Sequence, residues 1–401
     1  LGRINMPLVV VPDVLAGLVA LGEAARARSQ AKVIAVTGSA GKTSTKEALR
    51  LALAPSGKVH ASDKSFNNHW GVPLTLSRMP QDTDFAVFEI GMNHAGEIRP
   101  LVKMVRPHVA IVTLIAAAHL GHFNNLEEIT QAKAEIFEGV EPGGTALLNR
   151  DDLHSLILTK LAREAGVEHV ATFGQHEKAT YHLVSCELQG DHSDIVVRVA
   201  DRSVSLRLGA PGRHIVQNAL AVLGAAHLTG ADVDKAAAAL ANLVPEQGRG
   251  LRHRLMHPAG EFVLIDESYN ANPASMRAAI ELLSATEVGE GGRRVAVLGD
   301  MLELGVHARR LHVEIAGVLK KSKVDMLYLG GPEMRALADT LPEGMAAEYR
   351  QTVAELEPAL IEGVRAGDAV MVKSSKGIGF SKLVDALTRK YPAVQQASEP
   401  T

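Results

Sequence analysis

Residues 34–45 constrain the chain more than any other stretch. There the apolar run Ile34 to Val36 passes into Thr37, Gly38, Ser39, Ala40, Gly41, Lys42, Thr43 and Ser44. The apolar run reads as a buried strand and the stretch after Lys42 as a helix. Glycines at such a turn let backbone N–H groups converge on phosphate oxygens, and the helix that follows presents its positive end. Lys42 adds a point charge, and the Thr43 hydroxyl is a ligand for Mg²⁺. Residues 37–44 are therefore predicted to cradle a triphosphate. The ordinary spacing of such loops would put a glycine at Val36. The loop is thus a shortened form, and the strand and helix patterns beside it separate it from a chance Gly41-Lys42-Thr43 turn.

Around this loop, strand-like runs at 32–37, 84–90, 108–115, 144–149 and 168–173 alternate with helical patterns at 42–54, 95–105, 126–138 and 152–165. That alternation predicts an α/β fold with a mostly parallel sheet covered by helices on both faces. Residues 180–208 break the rhythm with short alternating strands, and helices follow at 213–228 and 231–242. The Pro245 to Gly250 segment reads as a linker, because a second series begins just after it. Strands at 261–266, 294–299, 325–329 and 368–373 interleave there with helices at 273–285, 306–321, 352–364 and 380–390. The expected organisation is a helix within 1–28, a central nucleotide-binding domain at 29–245, a second Rossmann-like α/β domain at 246–393 and a polar tail at 394–401.

With 42 basic and 45 acidic residues, the 401-residue chain carries a formal charge of −3. That balance argues against nucleic acid as a partner. The single cysteine, Cys186, forms no internal disulfide, which suits a reducing compartment. No apolar run approaches the roughly 18 to 20 residues of a membrane span. The first residues lack a signal-peptide pattern, and with Leu1 where an initiator Met would stand the chain reads as a fragment.

Polar residues at strand ends supply further candidates. Glu89 closes the apolar run that starts at Phe85, and His119 closes another at the same predicted edge. In an open α/β sheet that edge binds ligands. Beside a triphosphate loop the two are candidates for Mg²⁺. Lys133 lies on a helix, where a lysine is by default a solvated residue. The Asp266 to Pro273 segment, with Tyr269, Asn270 and Asn272, is a binding loop at a strand-to-helix turn, and Pro273 opens the helix. Gly299 to Gly305 and Lys373 to Gly377 repeat that placement, so three polar loops are expected to wall one cleft. Asn67 and Asn68 precede Gly71 and Pro73, and read equally well as a turn with side-chain hydrogen bonds or as a substrate contact.

These motifs resemble the Mur ligase family, ATP-dependent amide-forming enzymes of peptidoglycan precursor synthesis. The resemblance rests on the shortened 37–43 loop, Glu89, His119, Lys133 followed by Ile136-Phe137, and Gly212-Arg213-His214 with Asn218-Ala219-Leu220. It runs from residue 8 onward. Within the family, the Asn67-Asn68 loop, Gly91 to Ile98, Asp266 to Pro273 and Gly299 to Gly305 are similar to the branch that adds D-alanyl-D-alanine. Folylpolyglutamate synthase and the diamino-acid-adding branch tend to carry a histidine where Tyr269-Asn270 stands.

The resemblance implies a cytoplasmic, monomeric ligase. It would join D-alanyl-D-alanine to a UDP-linked muramoyl tripeptide through an acyl phosphate, with ATP and Mg²⁺. It further implies that Lys42 and the 37–44 backbone hold the β and γ phosphates, and that Thr43 and Glu89 share one Mg²⁺. His119 and a carbamylated Lys133 would share a second. Asn218 would contact adenine, Asp266 the ribose and Arg249 the γ phosphate, with Arg252 as a rival; Asn67, Asn68, Tyr269, Asn270 and Asn272 would contact substrate. Of the family's small amino-terminal domain, which helps hold the uridine nucleotide, only an exit helix at 12–28 is recognisable. Two alternatives stand beside this reading: an amide ligase for another amino acid or peptide, and a regulatory ATPase, which would leave the polar loops of 266–376 unexplained.

Overall fold

The computed structural model describes residues 8–118 and 120–394. His119 lies outside the described residues, as does the polar tail beyond Val394.

Two sheets organise the chain. The first contains β1 (Lys32–Thr37), β2 (Val59–Ala61), β3 (Phe85–Glu89), β4 (Val109–Val112), β5 (Thr145–Asn149), β6 (His169–Gly174), β7 (Tyr181–Leu188), β8 (Ser193–Val199) and β9 (Arg202–Leu208). Their spatial order is β2-β3-β1-β4-β5-β6-β7-β8-β9. The sheet is parallel from β2 to β7, and β7, β8 and β9 are antiparallel. The second contains β10 (Leu251–His257), β11 (Gly260–Glu267), β12 (Arg294–Gly299), β13 (Met326–Gly330), β14 (Ala346–Arg350) and β15 (Ala369–Lys373), ordered β10-β11-β15-β12-β13-β14. Only β10 runs antiparallel there.

Helices cover both faces of the parallel regions, so β3, β4, β5 and β15 are buried along their whole length. Such strands read as continuous apolar runs, which is why periodicity locates them. Three strands escaped that reading, β2, β10 and β14. All three are edge strands with few or no fully buried positions. A further difference falls at 67–73, expected as a loop: a helix, Gly71–Ser77, begins there.

The helix Val14–Arg28 is docked on the first sheet's helical layer. Asp13 caps it by accepting from Ala16 N at 2.6 Å. At its far end the buried Arg26 donates to the carbonyls of Val105 and Arg106 at 2.7 and 2.8 Å and pairs with Glu141 at 3.3 Å. Among the described residues no helix is long and apolar enough to cross a membrane.

The two sheets turn their strand carboxyl ends toward each other across a small set of polar contacts. Asn272 Nδ2 donates to Ser39 O at 3.2 Å. Ser65 and Tyr269 share a hydroxyl hydrogen bond of 2.6 Å, and Gly121 N donates to Glu303 O at 2.8 Å.

Candidate active site

β1 is the middle of its neighbours β3 and β4, in register Val36 opposite Glu89 and Thr37 opposite Val112. The loop that leaves it is fitted to its surroundings at two glycines. A side chain at Gly38 would lie 1.9 Å from Thr113 Oγ1, and Gly41, at φ +82, would bring one to 2.8 Å from Asn218 Oδ1. Gly41 also occupies the cap of the helix Lys42–Leu53, and among the described residues no side chain caps its first N–H groups. Those donors and the positive end of the helix remain for an anion. Lys42 Nζ donates to Gly38 O at 2.7 Å. Burial lowers the Lys42 pKa, Glu89 opposes that shift and Arg249 adds to it.

One turn into this helix, Thr43 Oγ1 donates to Glu89 Oε2 at 2.8 Å, and Asn67 Nδ2 donates to Glu89 Oε1 at 2.7 Å. Glu89 is 1% exposed, so its carboxylate is held in one orientation by both neighbours. A hydroxyl and a carboxylate are the hard oxygen donors that Mg²⁺ takes when phosphates and water complete its shell. The donor set fits that ion. Asn68 does not join this wall. Its Oδ1 accepts from Trp70 N at 3.1 Å and Gly71 N at 2.9 Å, the hydrogen bonds of a turn, while Asn67 faces the site.

Lys133 departs from the default for a helical lysine: it is 1% exposed. Burial, with Lys42 contributing, holds its pKa well below the ordinary lysine value. Loss of the ammonium proton is thereby eased.

The opposite wall comes from the second sheet. Lys373, at the end of β15, pairs with Glu267 at 3.1 Å and donates to Asn270 O at 3.1 Å. Tyr269 carries the Arg249 guanidinium over its ring, 4.2 Å from the centroid, with Lys376 Nζ at 5.1 Å. Asn272 is the cap of the helix Pro273–Ala285, in a reciprocal capping box with Ser275. Asp266 sits behind the wall: its oxygens accept from Gly248 N at 2.8 Å, Ser268 N at 3.1 Å and Ser268 Oγ at 2.6 Å. The 299–305 loop does not wall the cleft either. Asp300 accepts from Met334 N at 2.8 Å, and the backbone of Glu303 meets Gly121.

Between the walls lies a cavity of about 550 Å³, lined by residues 39–44, Asn67, Glu89, Asn218, Arg249, Tyr269, Asn270 and Asn272 among others. Arg252 belongs instead to a separate cavity of about 250 Å³, where it donates to Gly190 O and Thr286 Oγ1. Residues not singled out as site candidates from sequence also line the main cavity, Asn149, Asp151, His214 and Gln217 among them. Gln217 Nε2 donates to Asp151 Oδ2 at 2.6 Å, and its buried Oε1 has no partner among the described residues, an acceptor left for a ligand. Burial lowers the His214 pKa, which favours a neutral ring at the wall.

Two family models match the sequence: "Mur ligase middle domain" over residues 36–226 and "Mur ligase, glutamate ligase domain" over 252–376. The UDP-N-acetylmuramoyl-tripeptide–D-alanyl-D-alanine ligase of Rickettsia prowazekii is 32% identical over 360 residues, covering 90% of this chain and 79% of that protein. The ligase of the same description from Escherichia coli K12 is 32% identical over 386 residues, covering 96% and 83%. Among solved structures, MurF from Acinetobacter baumannii superposes with a TM-score of 0.86 at 30% identity, covering 96% of this chain and 83% of that one.

Proposed function

The chain belongs to the Mur ligase family, and from that premise we propose that it is an ATP-dependent ligase joining D-alanyl-D-alanine to a UDP-N-acetylmuramoyl tripeptide in peptidoglycan precursor synthesis. One observation carries the reading beyond the family. The phosphate loop and the strand-end loop of Tyr269, Asn270 and Lys373 face each other across a single cavity. A nucleotide at one wall is thus brought to an amine at the other. A regulatory ATPase has no use for the second wall.

In the proposed reaction a tripeptide carboxylate oxygen attacks the γ phosphorus and the bond to the β-phosphate oxygen breaks, giving ADP and an acyl phosphate. The dipeptide amine then attacks the carbonyl carbon, phosphate leaves with the bonding pair, and the nitrogen loses a proton. Charge builds on the transferring oxygens in the first step. Lys42, the free N–H groups after Gly41, and Arg249 stacked on Tyr269 are fixed donors for that charge, the arrangement that yields most rate enhancement in phosphoryl transfer. Mg²⁺ held by Thr43 and Glu89 would neutralise the β and γ phosphates. Asn218 and Gln217 line the cavity, and the resemblance gives Asn218 to adenine. Closure of the two halves over the acyl phosphate excludes the water that would hydrolyse it.

Lys133 enters the proposal through its neutral amine, which adds CO₂ to form a carbamate and releases one proton. The product is an anionic oxygen ligand for a second Mg²⁺, to which the resemblance adds His119. We also propose the division of the chain at 245/246, with the helix Val14–Arg28 leading in from an amino-terminal uridine-nucleotide domain.

The test is phosphate release measured with each substrate omitted in turn, together with the mass of the product. Release only when both the UDP-tripeptide and D-alanyl-D-alanine are present, with a product heavier by the dipeptide, is expected. Equal turnover with single amino acids, or release with ATP alone, would overturn the substrate assignment or the ligase reading respectively.

A further inference from the structure

One residue of the phosphate-loop helix has no part in the chemistry above and yet is fully buried: Lys46, at 0% exposure. Burying an ammonium is costly unless all its N–H groups are used. Here they are. Nζ donates to Ser62 O and Lys64 O, both at 2.7 Å, and pairs with Glu47 Oε1 at 2.5 Å.

The two carbonyls belong to the segment that follows β2 and runs into the cavity wall. Lys64 adopts φ +47, a left-handed conformation that a non-glycine residue enters only under constraint. On either side of it the segment is tied to the site. Ser62 Oγ accepts from Glu89 N at 3.4 Å, Ser65 meets the Tyr269 hydroxyl at 2.6 Å, and Asn67 orients Glu89 at 2.7 Å. Lys46 lies one turn beyond Lys42 on the same helix, so it connects the phosphate-binding helix directly to the segment that aims the Glu89 carboxylate.

We infer that Lys46 is a positioning residue for the metal site: its ammonium holds residues 62–67 in the strained shape that sets Asn67 against Glu89 and Ser65 against Tyr269. A methionine of nearly equal length would fill the space without an ionic desolvation cost. What the ammonium adds is therefore the conformation of the segment, not the packing. The inference rests on the assignment of Thr43 and Glu89 to Mg²⁺ made above.

The test compares the wild-type chain with Lys46→Met, and with a Lys46→Met, Glu47→Gln double variant that leaves no unpaired buried charge. ADP binding is measured by calorimetry in chelator and again with Mg²⁺, a readout that needs no amide substrate. The expected result is unchanged site number and ADP affinity in chelator, with the Mg²⁺-dependent tightening reduced roughly ten- to a hundredfold, the usual loss when a residue behind a metal ligand is removed. Tightening kept at the wild-type level in either folded variant overturns the inference, as does a loss that tracks a fall in site number. If neither variant folds, the ammonium serves the fold itself and the positioning role is equally refuted. Wild-type binding indifferent to Mg²⁺ would instead sink the metal assignment, and this inference with it.

Discussion

The Asn272 side-chain amide donates to the Ser39 carbonyl at 3.2 Å, joining the cap of a helix in the second half of the chain to the phosphate loop 233 positions away. Its Oδ1 is already used by Ser275 N at 2.9 Å. Asn272 is thus spent on structure and on the nucleotide side, whereas among the described residues the Asn270 side chain accepts only from Ala271 N beside it. Asn272→Ala should cost about 1 kcal/mol of stability through the lost cap and raise the KM for ATP. Asn270→Ala should leave stability nearly unchanged and raise the KM for the dipeptide amine. Urea unfolding and paired KM measurements separate the two, and identical kinetic profiles would refute the division of labour.

Glu89→Gln keeps the shape of the Thr43 and Asn67 contacts but removes the charge. Half-saturating Mg²⁺ should rise by roughly tenfold or more, in line with the loss of a metal-site interaction, with little change in thermal midpoint. An unchanged Mg²⁺ titration would make Glu89 a strand-end carboxylate and no more.

Lys42→Ala removes the loop's side-chain cation, whose ammonium is positioned by Gly38 O. Phosphate release with both substrates present should fall on the order of a hundred- to a thousandfold, the range for deleting one fixed donor to developing charge. Turnover near the wild-type level would refute the cradle.

The phosphate loop and the central strands were legible in sequence because each is a local pattern: a fixed spacing around Gly38 and Gly41, and unbroken apolar runs in doubly covered strands such as β3 and β15. The edge strands β2, β10 and β14 were not, since a strand with one neighbour buries too little to suppress polar residues. Site residues divide the same way. Glu89 announces itself as a lone carboxylate ending an apolar run, whereas Asp151 and Gln217 are ordinary polar residues 66 positions apart that only the fold brings to one wall. Nor does any local pattern tell that Lys46 and Lys133, both on helices, are buried and not solvated.

That burial has a measurable consequence for Lys133. The unfolded chain binds a proton on this amine below the ordinary lysine value of 10.5, whereas the folded chain, its pKa well below that value, does not until much lower pH. Across that window the unfolded state holds more protons, so this group lowers stability, and stability rises as pH rises toward the unfolded value. Lys133→Met removes a charge that burial disfavours, so it should stabilise the CO₂-depleted protein near neutral pH. The advantage should shrink as pH increases. Denaturant unfolding of both proteins from about pH 7 to about pH 10 checks the sign, and a variant less stable at neutral pH would show that the amine is partnered.

The same residue gives the sharpest test of the chemistry. An ammonium beside Lys42 would repel Mg²⁺, while a carbamate presents the oxygen anion that a hard cation prefers. Lys133→Ala should be nearly inactive and partly rescued by acetate or formate, small enough to enter the vacated space and supply a carboxylate there. Lys133→Arg should stay inactive with or without those anions, because it keeps a positive charge and forms no stable carbamate. Removing CO₂ from the wild-type enzyme should lower turnover, and bicarbonate should restore it. Full activity of the arginine variant, or of wild type rigorously depleted of CO₂, would mean that the buried amine acts unmodified and that the second metal ligand must be sought elsewhere.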